Sequence, residues 1–297
     1  MPDPIVKIDS NLELPPSRYR SYDVSIQSKS GSLRGKFSES LTDISADGVI
    51  LCPGLAVGME GDFVRDMEQR LLNSGVCKWS LRFNFFGHSS DTLNSDIRGF
   101  TFSRAIDDFS AGVKMLRQAG AQRIIAVSSS TGTQPAVLAG CDGVDGEKVD
   151  LIVARAAVLD CFASVIGKVP AAILDEWKTA GAFQYPVGGS PVTMGADLLS
   201  DIEQWRVRMD LSKLQVPLVL FHGEEDRTVP VEVIRGAVKS IPSELLSLTV
   251  IPGVSHDFSG AEQLDHLSAM AHEIAERLSR AGGAEQGSAG DHSDKRC

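Results

Sequence analysis

RIIAVSSSTGTQPAVLAG, residues 123–140, decides how this chain is read. Arg123 to Val127 is a short apolar run of the kind that forms a strand buried on both faces. It passes without a linker into Ser128-Ser129-Ser130-Thr131-Gly132 and then into QPAVLAG, which reads as helix. A strand that turns directly into a helix holds one residue of the turn exposed and strained at the strand's C-terminal edge. Backbone and neighbouring elements crowd that residue, so small side chains are needed two places before and two after it. Around Ser130 those places hold Ser128 and Gly132. Around Ser129 they hold Val127 and Thr131, both β-branched. Ser128 has the small neighbours Ala126 and Ser130, but its hydroxyl would be buried in the strand end. Ser130 is the candidate nucleophile. On this stretch alone, the competing reading is a turn whose hydroxyls cap the following helix.

The flanking sequence repeats the strand–helix alternation. YDVSIQSKSGSLRGKFS (22–38) alternates around Ser-Gly and predicts a hairpin. GVILCPG (48–54) is a second buried strand, followed by a helix with Phe63, Met67 and Leu71 on one face. Trp79 to Phe83 predicts a strand, and Ile106, Phe109, Val113 and Leu116 mark an amphipathic helix. Strands are predicted again at 151–158, 217–221 and 246–251. Leu264, Leu267, Ala271, Ile274 and Leu278 share a stripe of a last helix. This order predicts an α/β protein with a mostly parallel sheet covered by helices on both faces. Residues 1–20 read as an extended arm, and 281–297 as a disordered tail rich in Gly, Ser and charge. Between 161 and 214 the alternation lapses for longer than an αβ connection needs. That segment predicts a small helical cap inserted over the sheet. Its Trp177 and Trp205 are candidates for the wall of a substrate pocket, against the plainer reading that its aromatics only anchor the cap.

Composition narrows the function classes. The 297 residues are 42% hydrophobic and 23% charged, enough for a full core. The formal net charge of -10 opposes binding to nucleic acid or to an anionic membrane surface. No stretch is apolar enough to span a bilayer. The N-terminal residues lack a basic region and an apolar run, so a cytoplasmic protein is expected. Five scattered cysteines without a CxxC pair predict free thiols in a reducing compartment, with no metal site.

Two downstream stretches match the serine turn. PLVLFHGEEDRTVP (217–230) places Asp226 just past a buried strand, with Glu224 and Glu225 as competitors that the G-x-x-D spacing disfavours. GVSHDF (253–258) places His256 in the loop after the last strand. Parallel strands deliver these loops to one edge, so Ser130, Asp226 and His256 can converge. An imidazole that takes the serine proton, oriented by a carboxylate, is the machinery of acyl transfer through a covalent intermediate. Gly54 allows the Leu55 amide to point inward, and Thr131 opens a helix whose first amides are unpaired, so these two N–H groups are candidates for an oxyanion hole. His88 reads as a residue that holds backbone, and His222 as a packed, hydrogen-bonded one. His266 and His272 do not share a helix face, which argues against a metal pair. Gly54, Gly58 and Gly61 lack the dinucleotide spacing.

Through LCPGL (51–55), RFNFFGHS (82–89), SSSTG (128–132), HGEEDRTVP (222–230) and GVSHDF (253–258), residues 22–280 resemble the α/β-hydrolase superfamily. Within it the chain looks most like the cinnamoyl/feruloyl-esterase and dienelactone-hydrolase-like group. Pro53 stands where many members carry His, and Ser128 and Thr133 stand where the turn has glycine. The resemblance implies Ser130 as nucleophile, Asp226 as acid, His256 as base and an oxyanion hole at Leu55 and Thr131. It implies a small-molecule ester or thioester substrate and no cofactor. An acyltransferase or carrier-linked thioesterase with the same residues is the alternative, followed by a ligand-binding protein on this fold.

Overall fold

A computed structural model describes residues 18–42, 45–88, 91, 96–164, 166–187, 189–259 and 263–288. Strands β1 (Tyr19–Ser28) and β2 (Gly31–Ser40) form the expected hairpin. β3 (Asp47–Cys52), α1 (Asp62–Asn73), β4 (Trp79–Phe83), the short β5 (Asp96–Ile97) and α2 (Phe102–Ala119) follow. Next come β6 (Arg123–Ser129), α3 (Thr133–Cys141) and β7 (Leu151–Arg155). The inserted segment holds α4 (Cys161–Ser164), α5 (Ala171–Ala180), β8 (Ala182–Val187), β9 (Ser190–Gly195) and α6 (Asp197–Arg208). The chain returns to the sheet with β10 (Leu218–Gly223), α7 (Val231–Ala237), β11 (Leu246–Ile251) and α8 (Gln263–Ser288).

The main sheet has eight strands in the order β1-β2-β4-β3-β6-β7-β10-β11, parallel from β4 onward. Its central strands explain why the apolar runs are continuous. Val49, Leu51, Ile125, Val127, Val153 and Val219 pack on one face with Met67 and Leu71 of α1 and Met270 and Ile274 of α8. Ile50, Ile124, Ala126, Ile152, Ala154 and Leu220 pack on the other with Phe109, Val113 and Leu116 of α2 and Val137 of α3. Each strand residue is buried whichever way its side chain points. β7 stops at Arg155, short of the predicted Val158, because Ala156 turns into the left-handed region at φ 46°.

Three expectations change. The inserted segment is not wholly helical: β8 and β9 form a hairpin, and β9 pairs with β5 in a separate three-stranded sheet. In the sequence FQYPV and SPVTM stand on either side of a Gly-Gly pair; the Val187–Ser190 pair is the last of the hairpin, and Gly189 takes φ 81°. α8 continues to Ser288, into the stretch expected as tail, and residues 289–297 lie outside the described residues. Tyr19 and Arg20 of the expected arm are already in β1, and residues 1–17 lie outside the described residues. Cys52, Cys77, Cys141 and Cys161 are buried free thiols whose pKa values burial raises, keeping them protonated. No helix among the described residues is long and apolar enough to cross a membrane.

Candidate active site

The strand order reverses between β3 and β6. The chain leaves β3 toward β4 and later returns to β6 on the other side, which opens a crevice at the C-terminal ends of these two strands. Their register pairs Cys52 with Ser128, so Gly54 and Ser130 emerge side by side, with Leu55 the next residue of the loop. Ser130 holds φ 52°, a strained conformation for a residue with a side chain. A Cβ on Gly132 would lie 2.3 Å from the Pro53 carbonyl oxygen, so only glycine lets the turn sit this close to β3. Ser128 and Thr133, which replace glycines in the resemblance, pair with each other: Ser128 donates from Oγ to Thr133 Oγ1 at 3.2 Å.

Asp226 and His256 are brought together by two interlocked loops. The Glu224 amide donates to Ile251 O and the Glu225 amide to Val254 O, both at 2.9 Å. A Cβ on Gly223 would lie 2.2 Å from Val254 O, so this approach also requires glycine. Asp226 is buried, and its Oδ1 accepts from the Val229 amide at 2.7 Å. Its Oδ2 lies 2.7 Å from His256 Nδ1 and accepts that proton. His256 Nε2 is left to accept from the Ser130 hydroxyl at 3.1 Å. Glu224 and Glu225 are exposed. His222 is buried and donates from Nε2 to Val229 O at 2.8 Å, supporting the same turn, and burial lowers its pKa.

The loop after β3 is pinned by residues of RFNFFGH. His88 Nε2 accepts from the Ala56 amide at 3.1 Å, which places the imidazole proton on Nδ1. Burial pushes the His88 pKa down to about 4, so the ring is neutral, and it stacks on Phe100. Asn84 Oδ1 accepts from the Met59 amide, and Arg82 donates to Met59 O and pairs with Glu60 and the buried Glu68. Ala56, at φ 60°, is thereby held in a strained turn beside Leu55. The Leu55 amide makes no hydrogen bond among the described residues. Arg82, Asn84 and His88 occupy alternate positions from the end of β4 into the loop after it, and that spacing is the signal of these supports in the sequence.

Ser130, Leu55, Thr131 and His256 line a cleft of about 660 Å3. Its other walls include Phe63, Arg155, Val158, Lys168 and Tyr185. Neither predicted tryptophan is on them. Trp177 is fully buried against Phe183 and borders a small void behind Leu55 and Thr131. Trp205 donates from Nε1 to Ser103 Oγ at 2.9 Å, tying α6 to α2. The hairpin contributes Tyr185, Pro186 and Val187 instead. Long aromatic side chains in the insert mark its packing, whereas the cleft wall is set by where the β8–β9 turn reaches.

No family model matches the chain, and no curated protein matches it by sequence. Solved structures match it in shape. Est1E from Butyrivibrio proteoclasticus, solved with ferulic acid bound, is 16% identical with a TM-score of 0.70, covering 86% of this chain and 99% of that one. Alpha/beta hydrolase domain-containing protein 10 from mouse is 17% identical with a TM-score of 0.68, covering 86% and 99%. An esterase from Pyrococcus furiosus is 18% identical with a TM-score of 0.60, covering 87% and 91%. With its sheet order, its serine turn after β6 and these neighbours, the chain has the α/β-hydrolase fold.

Proposed function

We propose that this protein is a serine hydrolase that cleaves a carboxylic ester or thioester through an acyl-enzyme. The observation that carries the reading is the unbroken line from Asp226 Oδ2 through His256 to Ser130 Oγ, at 2.7 and 3.1 Å, ending in the cleft. In this reading His256 Nε2 takes the Ser130 proton as Oγ attacks the carbonyl carbon, and returns it to the leaving alcohol or thiol. Asp226 keeps the imidazole in the productive tautomer and stabilises its cation. The amides of Leu55 and Thr131 meet the oxyanion, where one donor is worth about 3–4 kcal/mol in related chemistry. Water activated by His256 then releases the acid. Exposed Asp62, Lys168, Arg227 and Thr228 at the cleft rim leave a path for that water, which favours hydrolysis over transfer.

A panel of chromogenic esters varied in acyl length and aromaticity, run on the wild type and Ser130→Ala, tests this. Turnover in the wild type and a loss of several orders of magnitude in Ser130→Ala are expected. A Ser130→Ala chain that retains turnover, or a wild type that cleaves no ester or thioester, would overturn the reading. Product analysis with an added alcohol or amine separates hydrolysis from transfer.

A further inference from the structure

Arg155 is an anomaly in the wall of the cleft. It ends LIVAR, a strand otherwise apolar and buried throughout, and its register partner on β6 is Ser129, the neighbour of Ser130. The residue is only 9% exposed. A guanidinium taken this far from water needs a carboxylate partner, or its charge costs several kcal/mol. None is supplied within the described residues: Arg155 makes no ion pair, and its one hydrogen bond is from Nε to Ser129 Oγ at 3.4 Å. Asp62 and Asp257 also line the cleft, but they are exposed and do not reach it.

What holds Arg155 is aromatic. Its guanidinium carbon lies 4.1 Å from the centre of the Phe63 ring and 5.4 Å from that of Phe258. Rings on the faces of a guanidinium fix its plane and leave its N–H edge for a ligand. Phe258 takes a positive φ of 51° two residues after His256, and Ala156 one of 46° directly after Arg155. Strained backbone on both sides of one cation marks a place where arrangement is kept at a cost in stability. The other cleft cations, Lys168 and Arg227, are exposed at the rim, where Lys168 donates to Arg227 O and Thr228 O. The inner cleft thus offers one planar fork of donors, which matches a carboxylate.

We propose that Arg155 binds a carboxylate carried by the substrate, so that the ester cleaved at Ser130 bears a second, anionic group. The inference rests on the serine-hydrolase reading for where the scissile bond sits. Burial lowers the Arg155 pKa to about 10, against the opposing pull of Asp257, Asp62 and Asp66.

The test compares 4-nitrophenyl hydrogen glutarate with 4-nitrophenyl pentanoate, and the pentanoate ester of 3-hydroxybenzoate with phenyl pentanoate. These place the anion on the acyl side and on the leaving-group side. In at least one pair the wild type should favour the anionic ester, and Arg155→Met should lower that kcat/KM ratio at least ten-fold. Arg155→Lys, which keeps charge without the fork, should fall between. A role confined to packing Phe63 and Phe258 would scale both esters of a pair alike, and an unmoved ratio overturns the proposal. Calorimetry of glutarate and of inorganic phosphate on Ser130→Ala needs no turnover and no folded Arg155→Met. Glutarate binding supports the assignment even if the wild type cleaves no ester and the hydrolase reading fails. Absence of glutarate binding, or phosphate binding in its place, overturns it.

Discussion

At the scale of single residues, the turn around Ser130 shows what identity and spacing can carry. Ser130, Asp226 and His256 were legible because each is a chemistry-bearing type just past a predicted strand, and parallel strands deliver such residues to one edge. On the neutral ester, Ser129→Ala should retain most of the turnover that Ser130→Ala abolishes. A reversed result would move the strained position one residue upstream, against the φ of 52° at Ser130. The supports were not legible, because His88, Asn84 and Arg82 act through tertiary hydrogen bonds to a loop 23 to 32 residues earlier. His88 makes a separate prediction. Its folded pKa of about 4 lies below the ordinary histidine value, so the unfolded chain binds the extra proton first as pH falls. The stability contributed by keeping it neutral is complete above about pH 6.5 and is lost as pH falls toward 4. By pH 5 the loss is about 2 kcal/mol relative to pH 8, at 1.36 kcal/mol per pKa unit. Denaturant melts at both pH values should show His88→Gln losing less stability on acidification than the wild type. Parallel pH dependence in the two would contradict a buried neutral imidazole at this site.

At the scale of elements, the central strands announced themselves as continuous apolar runs, and the predicted bounds of Trp79–Phe83 and Leu246–Ile251 match the observed strands. The β8–β9 hairpin was missed because a dense set of aromatics outweighed the alternation and the Gly-Gly pair between its strands. The hairpin bears on specificity. Trp177 is fully buried, and its truncation removes a large core side chain, so Trp177→Ala should cost about 3–5 kcal/mol and lower turnover of all esters by a common factor. Tyr185 is half-buried on the cleft wall. Tyr185→Ala should leave the melting temperature nearly unchanged and shift the preference between aromatic and acetyl esters by ~1–3 kcal/mol. Melting temperatures and kcat/KM on one ester of each kind check both. A Trp177→Ala chain of normal stability with altered preference would return the specificity role to the tryptophan.

At the scale of the whole molecule, the fold explains how residues 126 positions apart in sequence come to share a proton. The reversal of strand order between β3 and β6 makes the crevice, and β10 and β11 bring the Asp226 and His256 loops to its side. Four of the five non-glycine residues with positive φ among the described residues, Ala56, Ser130, Ala156 and Phe258, gather around this crevice. The formal charge of -10 belongs to the surface as a whole, whereas the cleft carries Arg155, Lys168 and Arg227 beside Asp62 and Asp257. Composition could not reveal that local balance, because it depends on which strand ends meet. The central claim is that Ser130 is a nucleophile activated in place by His256 and Asp226. Its most direct test is intact-mass spectrometry after a fluorophosphonate, followed by peptide mapping, on the wild type, Ser130→Ala and His256→Ala. The account predicts one adduct per wild-type chain, located on Ser130, none on Ser130→Ala, and strongly slowed labelling of His256→Ala. A wild-type chain that stays unlabelled, or an adduct on another residue, would contradict it.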